Sequence, residues 1–312
     1  RIDTASGDTA LVAQLATSLD NLAIDSQDRI YVSNMADNAI SEIDPKTGDE
    51  RVIIQGELAV PAGIALADDG KTLYVSDVFA FRSVNTTTGE VHDIRRAHGS
   101  DVEYPIAVGL GKTRLLLTSF STGTLHILDR NDYSTIRLIH GLNAPSDAIE
   151  LPDGSIVVSE LATGKLVHLS GEAMDNKRIL ADGLQGPVQM ILGKDGQIYL
   201  TEAAGFLTRV DPETGEVERV AEGLLMPEGL AQMANGDFVI AETAAKRLIA
   251  LNIETGERTT LADNLPIGFP AGPGMPPSGI PTGVAVDADG TVYFSSDMDN
   301  GLYRIEPEGA EE

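Results

Sequence analysis

Along most of the chain, short apolar runs alternate with turn signals, and no helical period of three to four residues persists between them. The run Pro61–Asp77 (PAGIALADDGKTLYVSD) is typical. An apolar stretch leads into an Asp-Gly turn and then into an alternating strand, the pattern of two antiparallel strands joined by a tight turn. A third strand follows in each unit, as in LTRVDP. A P-x-T-G-E turn (Pro212–Glu216, and Pro45–Asp49 with Asp last) then leads into a fourth, such as VERVA.

The pattern repeats. It recurs in strong copies ending at Glu160, Glu202 and Glu242, and in weaker ones ending at Asn34, Ser119 and Ser296. Aligned on Asn21, Gly63, Pro105, Asp147, Gln189, Gly229 and Gly283, the steps are 42, 42, 42, 42, 40 and 54 residues. The long step contains an inserted Pro/Gly stretch, Pro266–Pro281. Four short strands in a unit of about 40 residues is the arithmetic of a β-propeller blade. The seventh unit stops after its third strand, Leu302–Pro307, while a strand-like run, Thr9–Leu15, precedes the first. If that run completes the last blade, the ring closes without a bare edge. The expectation is one all-β domain over residues 1–312, a seven-bladed β-propeller with its N-terminal strand closing the last blade; six blades are the alternative.

Composition narrows the partners. With 22 Lys+Arg against 48 Asp+Glu, the formal charge is −26. Such a field repels nucleic-acid phosphates and anionic membrane surfaces, and it fits a protein that attracts cations or is adapted to salt. No stretch approaches the roughly 18 consecutive apolar residues of a membrane span. The absence of Cys excludes disulfides, thiolate metal sites and Cys nucleophiles. The chain opens on Arg1 rather than Met, which is what a removed leader or tag would leave; the former would fit a secreted or periplasmic origin.

A propeller carries its chemistry at one mouth of the central channel, on loops held by a rigid scaffold. The residues that begin the innermost strands form two rings. One is Asp20, Ala62, Tyr104, Ser146, Val188, Glu228 and Thr282; the next is Asn21, Gly63, Pro105, Asp147, Gln189, Gly229 and Gly283. A purely structural repeat would keep Pro-x-Gly throughout, yet Asn21, Pro105, Asp147 and Gln189 replace the Gly. Asp20, Asn21, Ser146, Asp147, Gln189 and Glu228 are then oxygen donors brought towards one axis. Carboxylates so gathered either rise in pKa or take a cation. Hard oxygen ligands without Cys point to Ca²⁺ or Mg²⁺.

Glu160, Glu202 and Glu242 end the second strand of their units, with Asn34 and Asp77 at the same place. They are either a second tier of carboxylates at the mouth or template residues that bond backbone amides. Glu242 is the strongest catalytic candidate, because its unit also supplies Glu228. His98 and His140 each lie 7 residues before a ring position, on loops where an imidazole could act as general base, and Tyr104 shares the first loop. His126 and His168 occupy one register of third strands and read as structural. Phe269 and Met275 of the insertion, with Phe79, Phe81 and Phe120, could line the mouth for an apolar ligand.

The P-x-G…DG-x-φ-Y-φ-[ST]-E pattern resembles two related propeller families across almost the whole chain. One is the streptogramin (virginiamycin B) lyases, which are seven-bladed. The other is the gluconolactonase/senescence-marker family of calcium-dependent six-bladed lactonases; NHL repeats are similar more loosely. The lyases place His at the x of certain P-x-G motifs, with a Glu ending the following strand. Here the x residues are Ala62, Ser146, Val188, Glu228 and Thr282, so Glu228 replaces the base and Glu242 keeps the second partner. In the lactonases a Glu, two Asn and the Asp of a P-D-G motif bind calcium. Asp20 resembles the first and Glu228 of Met226-Pro227-Glu228-Gly229 the last. Ser146-Asp147 falls where one Asn would be, and Tyr104 lies in the region of the other. The resemblance implies a divalent-metal-dependent hydrolase acting on a lactone or small ester, held by Asp20, Asp147 and Glu228 with Asn21, Ser146 and Gln189. The same groups could run a C–O lyase reaction. A non-catalytic propeller that binds protein or glycan is the rival.

Overall fold

The structure is a computed structural model that describes residues 1–269 and 280–307. Each of the seven repeats forms one antiparallel sheet; six have four strands and the seventh has three. Within a sheet the strands follow in chain order, as the tight turns require. The fourth sheet shows how the sequence does this. Asp153 Oδ1 accepts the Ser155 N–H at 2.9 Å, and Gly154 takes φ +84° to reverse the chain between Pro145–Glu150 and Ile156–Glu160. Asp211 plays the corresponding part at an outer turn, accepting the N–H groups of Glu213 and Thr214 at 2.9 and 2.8 Å. No helix among the described residues is long and apolar enough to cross a membrane.

The core lies between sheets. Val157, Leu166 and Leu180 of the fourth sheet pack with Met190, Leu200 and Val210 of the fifth. Burying each such side chain stabilises the fold by about 1.5–3 kcal/mol. Equivalent clusters join the second sheet to the third, the third to the fourth, the fifth to the sixth and the sixth to the seventh. The last cluster joins the seventh to the second: Ala285 and Tyr293 pack with Ile64, Leu73 and Val75. A ring therefore closes through six of the seven sheets.

Glycine decides where it closes. A Cβ on Gly283 would sit 2.6 Å from the Ile64 nitrogen and 3.0 Å from the Gly63 Cα, so the seventh and second sheets meet here only because Gly283 has no side chain; a Cβ on Gly63 would meet the Ala107 Cα of the third sheet at 2.5 Å, which makes it the glycine of the next seam. Ser295 Oγ ties the same seam by donating to the Ala62 carbonyl at 2.6 Å.

The first sheet stands outside this ring. Its inner strand, Leu19–Ile24, is exposed along its whole length. It is docked on the second sheet by polar contacts: Arg82 Nη2 donates to the Ala36 carbonyl, Arg96 pairs with Asp37 at 2.5 Å, and Ser18 Oγ donates to the Ala97 carbonyl at 2.7 Å. The expectation that Thr9–Leu15 adds a strand to the seventh sheet does not hold. Val12, Ala13 and Leu15 instead line one open cavity with Leu22, Ile24, Ile30 and Ile43 of the first sheet, and Leu22 and Ile24 stay exposed.

Candidate functional site

The loops that lead into the six inner strands of the ring gather at one end of the channel, here called the lead-in face; the Asp-Gly turns lie at the other end, the turn face. The acids that end the second strands anchor the lead-in loops. Glu160 accepts the Asn143 N–H at 3.1 Å, Glu242 that of Leu225 at 2.9 Å, and Glu202 that of Gln185. Asp77 accepts both the Ala59 and Val60 N–H groups. The template role is thus the one they fill. Burial pushes the Asp77 carboxyl up, against the pull of Arg82. Burial acts the same way on Glu160, but hydrogen bonds from Thr163 and Asn143 outweigh it and hold that carboxyl low. Glu242 is fully buried and its other oxygen takes Arg247 Nε at 2.6 Å, which places this catalytic candidate inside the scaffold rather than at the mouth.

The seventh sheet shifts this device by one residue, and the repeat alignment misses it. Asp297, one past the aligned Ser296, accepts the Phe269 N–H at 2.8 Å and so holds the start of the insertion. Burial raises its carboxyl. The acid in "SSD" is the signal that could have found it. Phe269 is exposed at this face, and Met275 lies outside the described residues.

The ring positions need one correction. Ile106 N–H bonds the Thr118 carbonyl as Ala62 N–H bonds that of Ser76, both at 2.9 Å, so Ile106 and Ala107 take the places assigned to Tyr104 and Pro105. A lead-in loop with 10 residue steps from Arg95 to Pro105, against 6 from Ile139 to Pro145, broke the even 42-residue spacing. Tyr104 lies on that longer loop, with His98. His98 Nε2 and the Tyr104 hydroxyl are 2.6 Å apart, and the Phe79 ring meets Tyr104 edge-on at 6.1 Å. His140 is exposed just past the strand Thr135–Ile139 and does not share this arrangement. Phe81 is buried against Tyr74, at 5.9 Å, and does not line the mouth. His126 and His168 are buried in third strands, bonded to Thr135 Oγ1 and Ser155 Oγ at 2.9 and 3.0 Å.

On the axis, inner strands have an edge with no strand partner, and side chains fill that need across the blades. Asp147 Oδ2 accepts the Met190 N–H at 2.8 Å, Gln189 Oε1 that of Leu230 at 3.0 Å, and Glu228 Oε2 that of Thr282 at 2.8 Å. Ser146 Oγ donates to the Pro187 carbonyl at 2.8 Å. Asp147 Oδ1 also accepts its neighbour's amide, from Ala148 at 2.8 Å. Burial drives the Asp147 carboxyl up to about 7. Of the six oxygen donors expected to converge, the structure therefore brings Ser146, Asp147, Gln189 and Glu228 to the axis. Asp20 and Asn21 lie on the first sheet, away from it.

This donor set does not fit Ca²⁺ or Mg²⁺ as expected. Asp147 and Gln189 spend their oxygens on backbone amides, Asp20 is elsewhere, and among the described residues no three His, Cys, Asp or Glu side chains gather where they could hold a metal ion.

Below Asp147 the channel widens into a cavity of about 380 Å³ that runs along the inner strands of all six ring sheets towards the turn face.

This architecture has known counterparts. Virginiamycin B lyase from Staphylococcus aureus superposes with a TM-score of 0.56 at 14% identity, over 91% of this chain and 93% of the lyase. The WD40 domain of Doa1 gives 0.59 at 13% identity, over 90% of each chain. A Bacteroides thetaiotaomicron protein of unknown function gives 0.60 at 14% identity, over 87% of this chain and 82% of its own. The fold is a β-propeller. A model of the SMP-30/gluconolactonase/LRE-like region matches residues 186–312, the fifth to seventh sheets of this propeller. No curated protein matches the chain in sequence. A lyase and a WD40 domain share the propeller equally well, so its chemistry has to be argued from its side chains.

Proposed function

We propose that the propeller is a lactonase-like or lyase-like enzyme that cleaves a small lactone or ester at its lead-in face. The observation that carries this reading is the 2.6 Å hydrogen bond between His98 and Tyr104, an imidazole and a phenol on one loop of that face. Two further features support it. Phe79 packs on Tyr104 and adds an apolar wall. Glu228, on the ring sheet opposite, lies within the segment that matches the gluconolactonase-like region.

His98 is the base and Tyr104 orients it or relays its proton. In hydrolysis, water adds to the ester carbonyl as His98 takes its proton; the alkoxide then leaves and receives that proton. In elimination, His98 takes a C–H proton, the C–O bond breaks, and an alkene and a carboxylic acid result without water. No step is routed through a metal, since the described donors do not build a site for one.

The test is a panel of lactones and aryl and alkyl esters, with and without chelator, on wild type, His98→Ala and Tyr104→Phe. General acid–base catalysis is typically worth 10²–10⁴-fold, so kcat should fall by about that much in His98→Ala. Turnover in ¹⁸O-water separates the two chemistries, because only hydrolysis incorporates the label. Activity unchanged in both variants, or none on any substrate, would sink the reading and favour a propeller that binds without catalysis. Activity lost to chelator and restored by Ca²⁺ would instead restore the metal.

A further inference from the structure

The loop that presents His98 is held from outside the ring. In the fourth, fifth and sixth sheets a Glu at the end of the second strand accepts an N–H of that sheet's own lead-in loop. Asp77 and Asp297 do so in the second and seventh. The third is the ring sheet without this acid. Ser119 stands at the place, and its hydroxyl accepts the Thr122 N–H of its own hairpin at 3.4 Å. The backbone shows which residue is left without an anchor. Ala97 N–H bonds the Phe79 carbonyl at 2.9 Å, as Leu142 N–H bonds that of Gly123 at 3.0 Å. Glu160 then takes the next N–H, that of Asn143. The residue after Ala97 is His98.

The segment leading into the first sheet supplies the missing hold. Ser18, 3% exposed, donates its hydroxyl to the Ala97 carbonyl at 2.7 Å. Arg96 Nη2 donates to the Thr17 carbonyl at 3.1 Å, and its Nη1 pairs with Asp37 at 2.5 Å. A Cβ on Gly99 would lie 2.7 Å from the Thr17 side chain, so the loop packs on this segment without a gap. Arg96, Ala97 and Gly99 thus each touch the first sheet or its lead-in, and His98 between them reaches Tyr104. His98 stands at φ +61°, a conformation uncommon for a residue with a side chain and kept where neighbours hold it.

We propose that docking of the first sheet sets the position of His98, with Ser18 and Thr17 as positioning residues for the base. The ring closes without this sheet, so the contact acts on one loop rather than on the core. With the sheet docked, the imidazole is delivered to the Tyr104 hydroxyl. With the sheet lifted, the third sheet has no acid to keep it there. The role of base rests on the ester-cleaving reading; the positioning does not.

The experiment is nuclear magnetic resonance of the full chain carrying ¹⁵N-labelled histidine, alongside kinetics on the lactone and ester panel. His98→Gln assigns the His98 ring signals, and Tyr104→Phe marks where they fall once the bond between the two side chains is gone. Ser18→Ala should move them towards that mark, while the buried His126 and His168 keep theirs. Asp37→Asn loosens the same docking from another side and should act alike; it serves if Ser18→Ala does not fold. On any substrate the wild type turns over, kcat in Ser18→Ala should fall about 10- to 100-fold at unchanged KM, the scale of a group displaced by about 1 Å. His98 signals unmoved in both variants would overturn the proposal. So would a shift shared by His126 and His168, which is a loosening of the whole fold. Signals that move in a protein without turnover would leave the positioning standing and sink the ester-cleaving reading. Turnover with the His98 signals and kcat unchanged would do the reverse.

Discussion

Arg247 Nε lies 2.6 Å from Glu242 Oε2, while the other oxygen of that carboxylate holds the Leu225 N–H. A residue at the place of a catalytic acid is thus the clasp that fastens a lead-in loop to its own sheet. Glutamine at this place keeps one acceptor oxygen but sets an NH2 donor where the other was, so either the Leu225 N–H or the Arg247 guanidinium loses its acceptor. Glu242→Gln should therefore destabilise the fold by about 1–3 kcal/mol in urea melts, with kcat per folded molecule unchanged. A large fall in kcat at unchanged stability would return Glu242 to the mouth.

Arg82 is 1% exposed, with Asp77, Asp93 and the Glu57 and Ala36 carbonyls around it. Arg82→Met leaves Asp77 buried without its counter-ion and removes one tether of the first sheet. Breaking a buried pair in this way costs about 3–5 kcal/mol. Amide exchange should accelerate first across Ile30–Ile54, where the tether is lost. Uniform acceleration over all seven sheets would show that the first sheet is no separate unit.

Asp147 makes stability depend on pH with a defined sign. Its folded-state carboxyl titrates near 7, above the ordinary 3.8, so the folded state binds the proton more tightly than the unfolded one. Its contribution is most favourable below 3.8 and is lost as pH rises towards 7, at about 1.4 kcal/mol for each unit of displacement. The stability of wild type relative to Asp147→Asn should fall between those pH values in parallel urea melts. A constant difference would mean that this carboxyl titrates where it does when unfolded.

The charge of −26 acts on the whole fold. Like charges repel across the compact surface, and salt screens them within about 10 Å at 0.1 M. The melting temperature should therefore rise as NaCl goes from a few millimolar to about 0.5 M at fixed pH. A flat or falling curve would show that the surface ion pairs outweigh the excess.

Seven units, their strands and their turns were legible in the chain because each rests on local physics. Alternation selects a strand face, and Asp-Gly reverses the chain within a few residues. The anchoring acids were visible for the same reason: the position recurs with the repeat, and a repeated carboxylate at a strand end has one repeated job.

What the repeat does not contain is how the units meet. The fifth unit, with Gln189, joins the ring, and the first, with Asn21, does not; both have a polar residue at the Gly position. The ring closes where Gly283 meets the Ile64 nitrogen, a pair more than 200 residues apart that only the assembled backbone brings together. Likewise, a donor set read from aligned positions assumes equal loops. One longer loop moved Tyr104 off the ring and beside His98, and the unpaired inner edges of the strands claimed the oxygens of Asp147, Gln189 and Glu228 for backbone amides. Local sequence determined the sheets; long-range packing and the backbone's unmet hydrogen bonds decided which of them enclose a channel and what its side chains remain free to do.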